Sequence, residues 1–456
     1  MTFNTDTSKP LGYRWRSSKT FIVGSVTVAL FTESLLFGFI VPILSYMLEQ
    51  RLHIDPSHTQ NETTKLLAIY GFVSVVFATA TAHVADKMPD RRTPLLYALA
   101  GCLVGTALVA STLSIWTVYL GRVLQSIASS GAWIVGFATV ADAVGDEHFG
   151  KVLGVVLSFV TAGTISGPTV SGVLLKLVGY WPTWLVPMAV LVLDMLARML
   201  MIEASKPTPS DEERTGLLPA SRPASSDQEG STAPSTSNFY RIMLLDSRVL
   251  TGLAGCLLYS SLMANFDTTI PLHVRETFHW DSLPTGLMFL CLQIPNVIFN
   301  PVSGWVRDKI GVRYPMTVGW ALMAPLLFLL GMPGDERFAW VNGGHHGVVI
   351  TVTCLLGIGA LGSLLHGAGP MELTAVVREQ EAQDPLIFGE NGAGSRAFAL
   401  AEMAFTLGIM LGPLLSGPLV ELVGYFYMNV VFGILCLMLA VSSFNFLRRK
   451  QPAIVE

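Results

Sequence analysis

Charged side chains are scarce in this chain. Asp, Glu, Lys and Arg supply 13% of its 456 residues, where a soluble domain carries roughly a quarter. That shortage excludes an ordinary water-facing surface. Cysteine is scarce as well, limited to Cys102, Cys256, Cys291, Cys354 and Cys436. All five fall inside apolar runs rather than loops, which argues against an extracellular disulfide framework and reads as packing. No glycine-rich nucleotide loop, metal-spaced His/Cys cluster or nucleophile motif is present. The sequence therefore lends no support to an enzyme, a metal site, a cofactor or a nucleic-acid partner. His345-His346 lies beside glycines in a predicted loop and reads as solvated.

Apolar residues are in excess: 51% are hydrophobic and the mean hydropathy is +0.55. Runs of about 20 residues, enough to cross a hydrocarbon core, recur twelve times. They fall at 20–47, 64–84, 94–112, 116–141, 151–175, 182–202, 248–273, 283–305, 315–332, 347–376, 395–420 and 424–446. The chain reads as an all-α, polytopic membrane protein. Its first 19 residues are polar and carry Lys9, Arg14, Arg16 and Lys19. The run that follows is too long for a signal-peptide core, so it is a retained span with the amino terminus in the cytosol. Three basic clusters then fall on the cytosolic side, as the positive-inside rule requires. They are Lys87/Arg91/Arg92, Arg307/Lys309/Arg313 and Arg448/Arg449/Lys450. Both termini are cytosolic on this reading. Asn61-Glu62-Thr63 is a glycosylation sequon in the first outer loop.

The chain also repeats itself. GVVLSFVTAGTISGPTVSG at 154–172 is a lipid-length helix notched by Gly154, Gly163, Gly167, Pro168 and Gly172. A weaker copy, GIMLGPLLSG, carries Gly408, Gly412, Pro413, Ser416 and Gly417 at one constant offset. Leu177-Val178-Gly179-Tyr180 recurs in the same register as Leu422-Val423-Gly424-Tyr425. Between the copies, 203–245 turns rich in Ser, Pro, Thr and charge and reads as a disordered cytosolic linker. Within it Glu213 to Leu218 fits an acidic dileucine sorting string. The expected organisation is a tail (1–19), a six-helix bundle (20–202), the linker, a second bundle (246–446) and a tail (447–456). Duplicated, notched helices point to two halves that move against each other.

Two loops carry a shared signature. AHVADKMPDRRTPL at 82–95 and GWVRDKIGVRYP at 304–315 each set an Asp-Lys pair at a cytosolic helix end with arginines just beyond. They resemble the loop motifs of the major facilitator superfamily, Gly-x3-Asp-Arg-x-Gly-x-Arg. The second copy fits well; in the first, Ala82 replaces the leading glycine and Pro89-Asp90 fills the later glycine site with one extra residue. The resemblance implies a major facilitator fold of twelve transmembrane helices in two pseudo-symmetric six-helix bundles. It also implies that Asp86 and Asp308 latch the cytosolic side, with Asp142 accepting Arg91 or Arg92 and with Arg313 serving the second latch. Charge-assisted bonds of this kind form in one state and release in another. Gly121-Arg122-Val-Leu-Gln125 resembles the same superfamily's Arg-x-Leu-Gln-Gly signature, which implies a part for Arg122 in proton coupling. The 154–172 motif resembles the span-five signature of its drug:proton antiporter branch, apart from Ser171. Its glycines and Pro168 are expected to make a tight hinge between the halves.

Carboxylates inside the spans bear on the chemistry most directly. Glu33 lies near the midplane of span one, Asp267 in the outer part of span seven and Glu402 in the inner part of span eleven. Each costs several kcal/mol in hydrocarbon unless it faces water, a partner or a proton. Asp194 and Arg198, four apart in span six, are expected to pair, and Glu372 is expected at a helix end. Glu33 before Val41-Pro42-Ile43, and Glu402 before Ala404-Phe405, resemble the vesicular amine transporter group, with Glu standing for Asp at both sites. Fungal drug-efflux proteins share these segments. The resemblance implies antiport of protons against an organic, cationic or amphipathic small molecule, by a monomer in a plasma, vacuolar or vesicular membrane. Phe31, Phe37 and Phe405 would add cation–π contacts. The alternative is a proton symporter for a sugar or organic acid. The sugar-porter string is absent after span six, where the chain reads MLMIEASKPTPS.

Overall fold

The computed structural model describes residues 13–88, 90–145, 147–201, 236–280, 282–342, 345–385, 387–389 and 392–448. Among them all regular structure is helical, and eleven helices are long and apolar enough to cross a membrane. We number them α1 (Lys19–Tyr46), α2 (Pro56–Lys87), α3 (Arg92–Ser111), α4 (Ile115–Val144), α5 (Phe149–Val178) and α6 (Tyr180–Leu200). After them come α7 (Ser247–Phe278), α8 (Ser282–Ile310), α9 (Arg313–Gly331) and α10 (His346–Gln383). The last, Gly394–Phe446, turns at Gly424 (φ 87°, ψ 165°), and its two parts, 394–423 and 425–446, are α11 and α12.

The repeated Leu-Val-Gly-Tyr string has a backbone reason. Gly179 joins α5 to α6 at φ 82°, and Gly424 joins α11 to α12 at φ 87°. Both positions need the positive φ that glycine adopts without a steric penalty, so one helix hands over to the next with no loop. Other starts are fixed by side chains. Ser18 accepts from the Phe21 N–H (3.2 Å), Ser114 from the Thr117 N–H (3.2 Å) and Asp246 from the Arg248 N–H (2.8 Å). Each satisfies an N–H that the first turn leaves open. α10 is discontinuous: His366 leaves the helix at ψ 122° and Gly367 takes φ 79° before a second segment, Ala368–Gln383.

Within the first half α1 lies along α5 and α3 along α4; within the second, α7 lies along α11, α9 along α12 and α8 along α10. Phe39, Val109 and Trp184 centre one core, and Phe266, Trp320 and Phe432 another. Two main seams cross between the halves, α5 with α8 and α2 with α11, and α4 also meets α11. At the end bearing the basic loops, Phe149 and Leu153 share a cluster with Phe398 and Ala399. Exposed apolar side chains such as Phe72, Leu177 and Leu422 face outward, as lipid contact requires. Most of the expected linker, including the 213–218 dileucine string, lies outside the described residues. Its last ten residues differ from the disordered reading: Thr236–Leu245 is a helix with Phe239 and Met243 buried.

Candidate functional site

The basic face is closed by two crossed caps. Asp86, in the last turn of α2, accepts from the backbone N–H groups of Ser395 (3.0 Å) and Arg396 (3.2 Å). It also accepts from Arg396 Nε (3.0 Å) and Arg91 Nη1 (3.3 Å). Asp308, in the last turn of α8, accepts from the N–H groups of Gly150 (2.6 Å) and Lys151 (2.7 Å). Ser395 and Arg396 open α11, and Gly150 and Lys151 open α5. Each carboxylate therefore caps the N-terminus of a helix in the other half, where unpaired N–H groups and the helix dipole favour negative charge. Arg91 donates further to Ser395 Oγ (2.6 Å) and Asp142 Oδ2 (3.2 Å). Burial works against its charge, but Asp142 and Asp86 more than offset this and hold it above its ordinary range. Arg378 Nη2 adds a bond to the Ala141 carbonyl (2.9 Å).

Two expected gate residues are elsewhere. Arg92 donates to the Met199 carbonyl on α6 (2.7 Å), because its position opens α3 on the far side of the loop from Asp142. Arg313 lies over the Phe444 ring at 4.5 Å, as the first residue of α9, which packs on α12. Ser395, Arg396, Gly150 and Lys151 were missed, since backbone N–H groups at a helix start carry no side-chain signal. A second helix start opposite each loop Asp was the available clue.

The notched helix divides its work. Gly154 faces the other half, where a Cβ would strike the Asn300 carbonyl of α8. Gly163 and Gly167 instead meet α1 of their own half; a Cβ at Gly163 would lie 2.6 Å from the Phe31 carbonyl oxygen. Gly408 and Gly412 likewise press on α7, against Ser260 and Ser261. Gly172 is looser, 4.0 Å from Pro42. Pro168 and Pro413 sit inside α5 and α11. The expected hinge between halves is thus mainly a close-packed face within each half, because the motif points at α1 and α7 rather than across the seam. The missed inter-half partner is Gly304 on α8, which abuts Gly150 backbone to backbone.

Glu33 is 3% exposed. It lies beside the Cys102 thiol of α3 and the Ser129 hydroxyl of α4, with Oε1 unpartnered among the described residues. Arg122 does not snorkel. It is 2% exposed, stacks on Tyr70 at 4.4 Å and donates to Gln125 Oε1 (3.0 Å), while Gln125 Nε2 donates in turn to Thr106 Oγ1 (2.9 Å). Its Nε and Nη2 have no hydrogen-bond partner among the described residues. Asp194 and Arg198 face each other at 3.9 Å. Glu372, expected at a helix end, lies near the start of the Ala368–Gln383 segment and is buried against Arg248 at 2.8 Å.

Glu402 is partly accessible on the α11 face that meets α2, and its Oε1 accepts from Thr406 (3.4 Å). Around it Thr79 of α2 donates to Met403 Sδ (3.3 Å), and Phe137 stacks on Phe398 at 5.7 Å. Phe405 stacks on His366 (6.3 Å), and His366 on Tyr259 (5.1 Å), whose hydroxyl accepts from Asn296 (3.0 Å). His366 and Asn296 were missed in the sequence, where each lies inside a predicted span and belongs to no motif. Asp267 is accessible but stands apart. Its neighbour Thr268 is level with Ser416 (3.5 Å), about 20 Å along α11 from Glu402 at the helical rise. Phe37 packs on Tyr70 at 5.6 Å, and Phe31 lies against α5. Asn61 falls within α2, and its side chain lies outside the described ones. No cluster of metal-ligating residues is found among the described residues.

Such an arrangement, with crossed helix caps and lone carboxylates deep in an apolar body, is that of a membrane carrier rather than an enzyme. The sequence pattern of the Major Facilitator Superfamily matches residues 26–380, and the chain belongs to that family of transporters. An uncharacterized MFS-type transporter of Schizosaccharomyces pombe is 29% identical, over 95% of this chain and 96% of that one. The human synaptic vesicular amine transporter is 22% identical, over 79% of this chain and 61% of its own length. Tetracycline resistance proteins are related too. Among solved structures, the crystal structure of the human organic anion transporter MFSD10 (TETRAN) has the same fold. It superposes with TM-score 0.64 at 17% identity, covering 93% of this chain and 99% of that one. The chain is thus a secondary-active transporter of a small organic molecule.

Proposed function

We propose that this transporter exchanges protons for an organic, cationic or amphipathic small molecule by alternating access, in efflux or in vacuolar or vesicular sequestration. On this reading twelve spans form two six-helix bundles with both termini and the crossed caps on the cytosolic side, and closure of that side by the caps supports an outward-facing state. The observation that carries the reading is Glu33, a carboxylate sealed among apolar helices with one oxygen unpartnered among the described residues. Such a group is stable as the acid and becomes a carboxylate only when water or a cation reaches it. Glu402 and the Phe405 ring offer an accessible anionic and aromatic surface that suits a cation. Mutual exclusion of proton and cation across these two walls is sufficient for exchange. Release of the Asp86 and Asp308 caps would let the halves rock open on the cytosolic side.

The test is uptake in proteoliposomes with an imposed pH gradient, using an amine, a dye and a fungal secondary metabolite. Uptake that follows the gradient, and dissipates it, supports antiport. Uptake in the same direction as the proton would turn the reading to symport.

A further inference from the structure

Behind Glu33, on the side away from the second half, lies another buried carboxylate. Asp194 of α6 is 1% exposed and Arg198, one turn along, is fully buried. Their closest approach of 3.9 Å is too long for a hydrogen bond. Neither Asp194 oxygen has a hydrogen-bond partner among the described residues. A loose buried pair of this kind is a weak stabiliser, because desolvation offsets the attraction. It is out of place on a helix whose outer face, Leu193, Leu196 and Leu200, is exposed and apolar.

Its position gives it a use. Asp194 is near enough to Glu33 for the two charges to repel. α1, α3, α4 and α6 meet here through Ala29, Leu99, Cys102, Ala128 and Leu191. Among the described residues, the ionisable groups that face this junction are Glu33 from α1, Tyr70 from α2, Cys102 from α3 and Arg198 from α6 itself, and α4 contributes the Ser129 hydroxyl. From Asp194, α6 runs toward the basic face. Arg198 Nη1 meets Met201 Sδ at 3.8 Å, and Ser25 of α1 meets the same sulfur at 3.8 Å. Arg92 and Arg16 hold the Met199 and Leu200 carbonyls at that end (2.7 and 2.6 Å).

We infer that Asp194 is a second proton carrier, taking the proton from Glu33 and passing it to water at the basic face along the α1–α6 seam, apart from the substrate's path. The Glu33 acid loses its proton and becomes a carboxylate. The Asp194 carboxylate becomes the acid, then returns the proton to water and its charge to Arg198. The crossed caps lie on the α2–α11 and α5–α8 seams, so proton delivery along α6 does not wait for them to open. This inference rests on Glu33 as the proton site.

The experiment uses the full chain in proteoliposomes with rhodamine 6G as the probe. In Asp194→Asn, dye-for-dye exchange is expected within about twofold of wild type, while gradient-driven uptake falls at least about tenfold, the loss expected for a removed proton-transfer group. Asp194→Glu, which keeps a titratable group, should restore gradient-driven uptake with a displaced pH profile. Equal loss of both activities with no rescue by Asp194→Glu marks a structural pair and overturns the inference, as does wild-type coupling in Asp194→Asn. Wild-type protein that exchanges dye but ignores the gradient overturns the antiport reading, and the inference with it. Infrared difference spectra over a pH titration decide without any substrate. Two carboxylic-acid bands are expected, one lost in Glu33→Gln and another in Asp194→Glu shifted to a new frequency. A single band, unmoved by Asp194→Glu, overturns the inference.

Discussion

Glu33 and Glu402 differ in how far they are exposed. Glu33 is enclosed by Cys102, Ser129 and the Tyr70 wall within the first half, whereas Glu402 is partly accessible at the seam where α11 meets α2. A sealed carboxylate suits a proton, which needs no volume. An accessible one flanked by Phe405 suits a larger cation. The largest expected effect tests that division. Glu33→Gln should lower pH-gradient-driven uptake by about 100-fold or more, since the proton enters that wall at this carboxylate and any onward transfer to Asp194 starts from it. Glu402→Gln should instead raise the apparent KM about tenfold, near 1.4 kcal/mol for one lost charge contact, and leave the gradient dependence in place. Initial rates against substrate concentration at two gradients separate the outcomes. Equal loss of coupling in both variants would end the division of labour.

The basic face invites a second comparison. Asp86 accepts from two backbone N–H groups and two arginines, one of which, Arg91, reaches on to Ser395 and Asp142; Asp308 counts the Gly150 and Lys151 N–H groups at the start of α5 among its contacts. Hydrogen bonds to charged groups contribute about 1.5–3 kcal/mol each. Asp86→Asn removes the charge that anchors the Arg91–Arg396 network and should release the closed face more than Asp308→Asn. Alkylation of a single cysteine placed at Ala138, beneath the caps, should accelerate about 10- to 100-fold in the first variant and less in the second. A larger effect from Asp308→Asn would mean that the α5–α8 seam, not the arginine cluster, holds the state.

The spans, their duplication and the two loop carboxylates were all legible in the sequence, because hydrophobic length and an Asp-Lys pair at a helix end are local signals. Glu33, Glu402 and the Asp194–Arg198 pair were legible too, since charge in an apolar run has few bland explanations. What Asp86 and Asp308 hold was not. Their partners are backbone N–H groups of Ser395, Arg396, Gly150 and Lys151, and any residue type can supply those. The direction of the notched helix was also hidden. Glycine spacing shows that one face is bare, but not which neighbour fills it, and α1 rather than the other half fills most of it.

Motif glycines can therefore be ranked by what they touch. Gly163→Val would drive its side chain into the α1 backbone at Phe31 and Leu35 and onto the Ser34 side chain, and overpacking of this kind costs about 1–3 kcal/mol. Gly172→Val and Gly417→Val should be tolerated, since Pro42 is the nearest neighbour of the first at 4.0 Å and the second has none within that distance among the described residues. Thermal unfolding in detergent reads the order. Gly154→Val is the informative exception, because its Cβ meets α8 across the seam. It should spare the bundle and instead speed cysteine labelling at Ala138, as the Asp86 variant does.

The smallest effect concerns the face opposite the caps. Glu62, just before the apolar stretch of α2, accepts from Lys65 (2.7 Å) and the Tyr119 hydroxyl of α4 (2.8 Å), and both bonds hold its carboxyl below its ordinary range. In the second half Asp335 is held low in the same way by Arg337, which also reaches the Tyr427 hydroxyl of α12 (2.5 Å). A carboxylate whose pKa is depressed on folding stabilises fully above its unfolded value and loses that contribution as pH falls through the folded one. The Lys65 end is half-exposed, so the Glu62 contacts are worth no more than about 1 kcal/mol and weaken with salt. Glu62→Gln should lower the Tm by a degree or so at neutral pH in low salt, an order-of-magnitude figure for such a loss. The difference from wild type should close below about pH 4, where both chains carry a neutral group at this position. A gap that persists in acid would show that Glu62 ties α2 to α4 by shape alone. The outer rim of the first half would then differ in kind from that of the second, where Arg337 keeps its charge and its Tyr427 contact throughout.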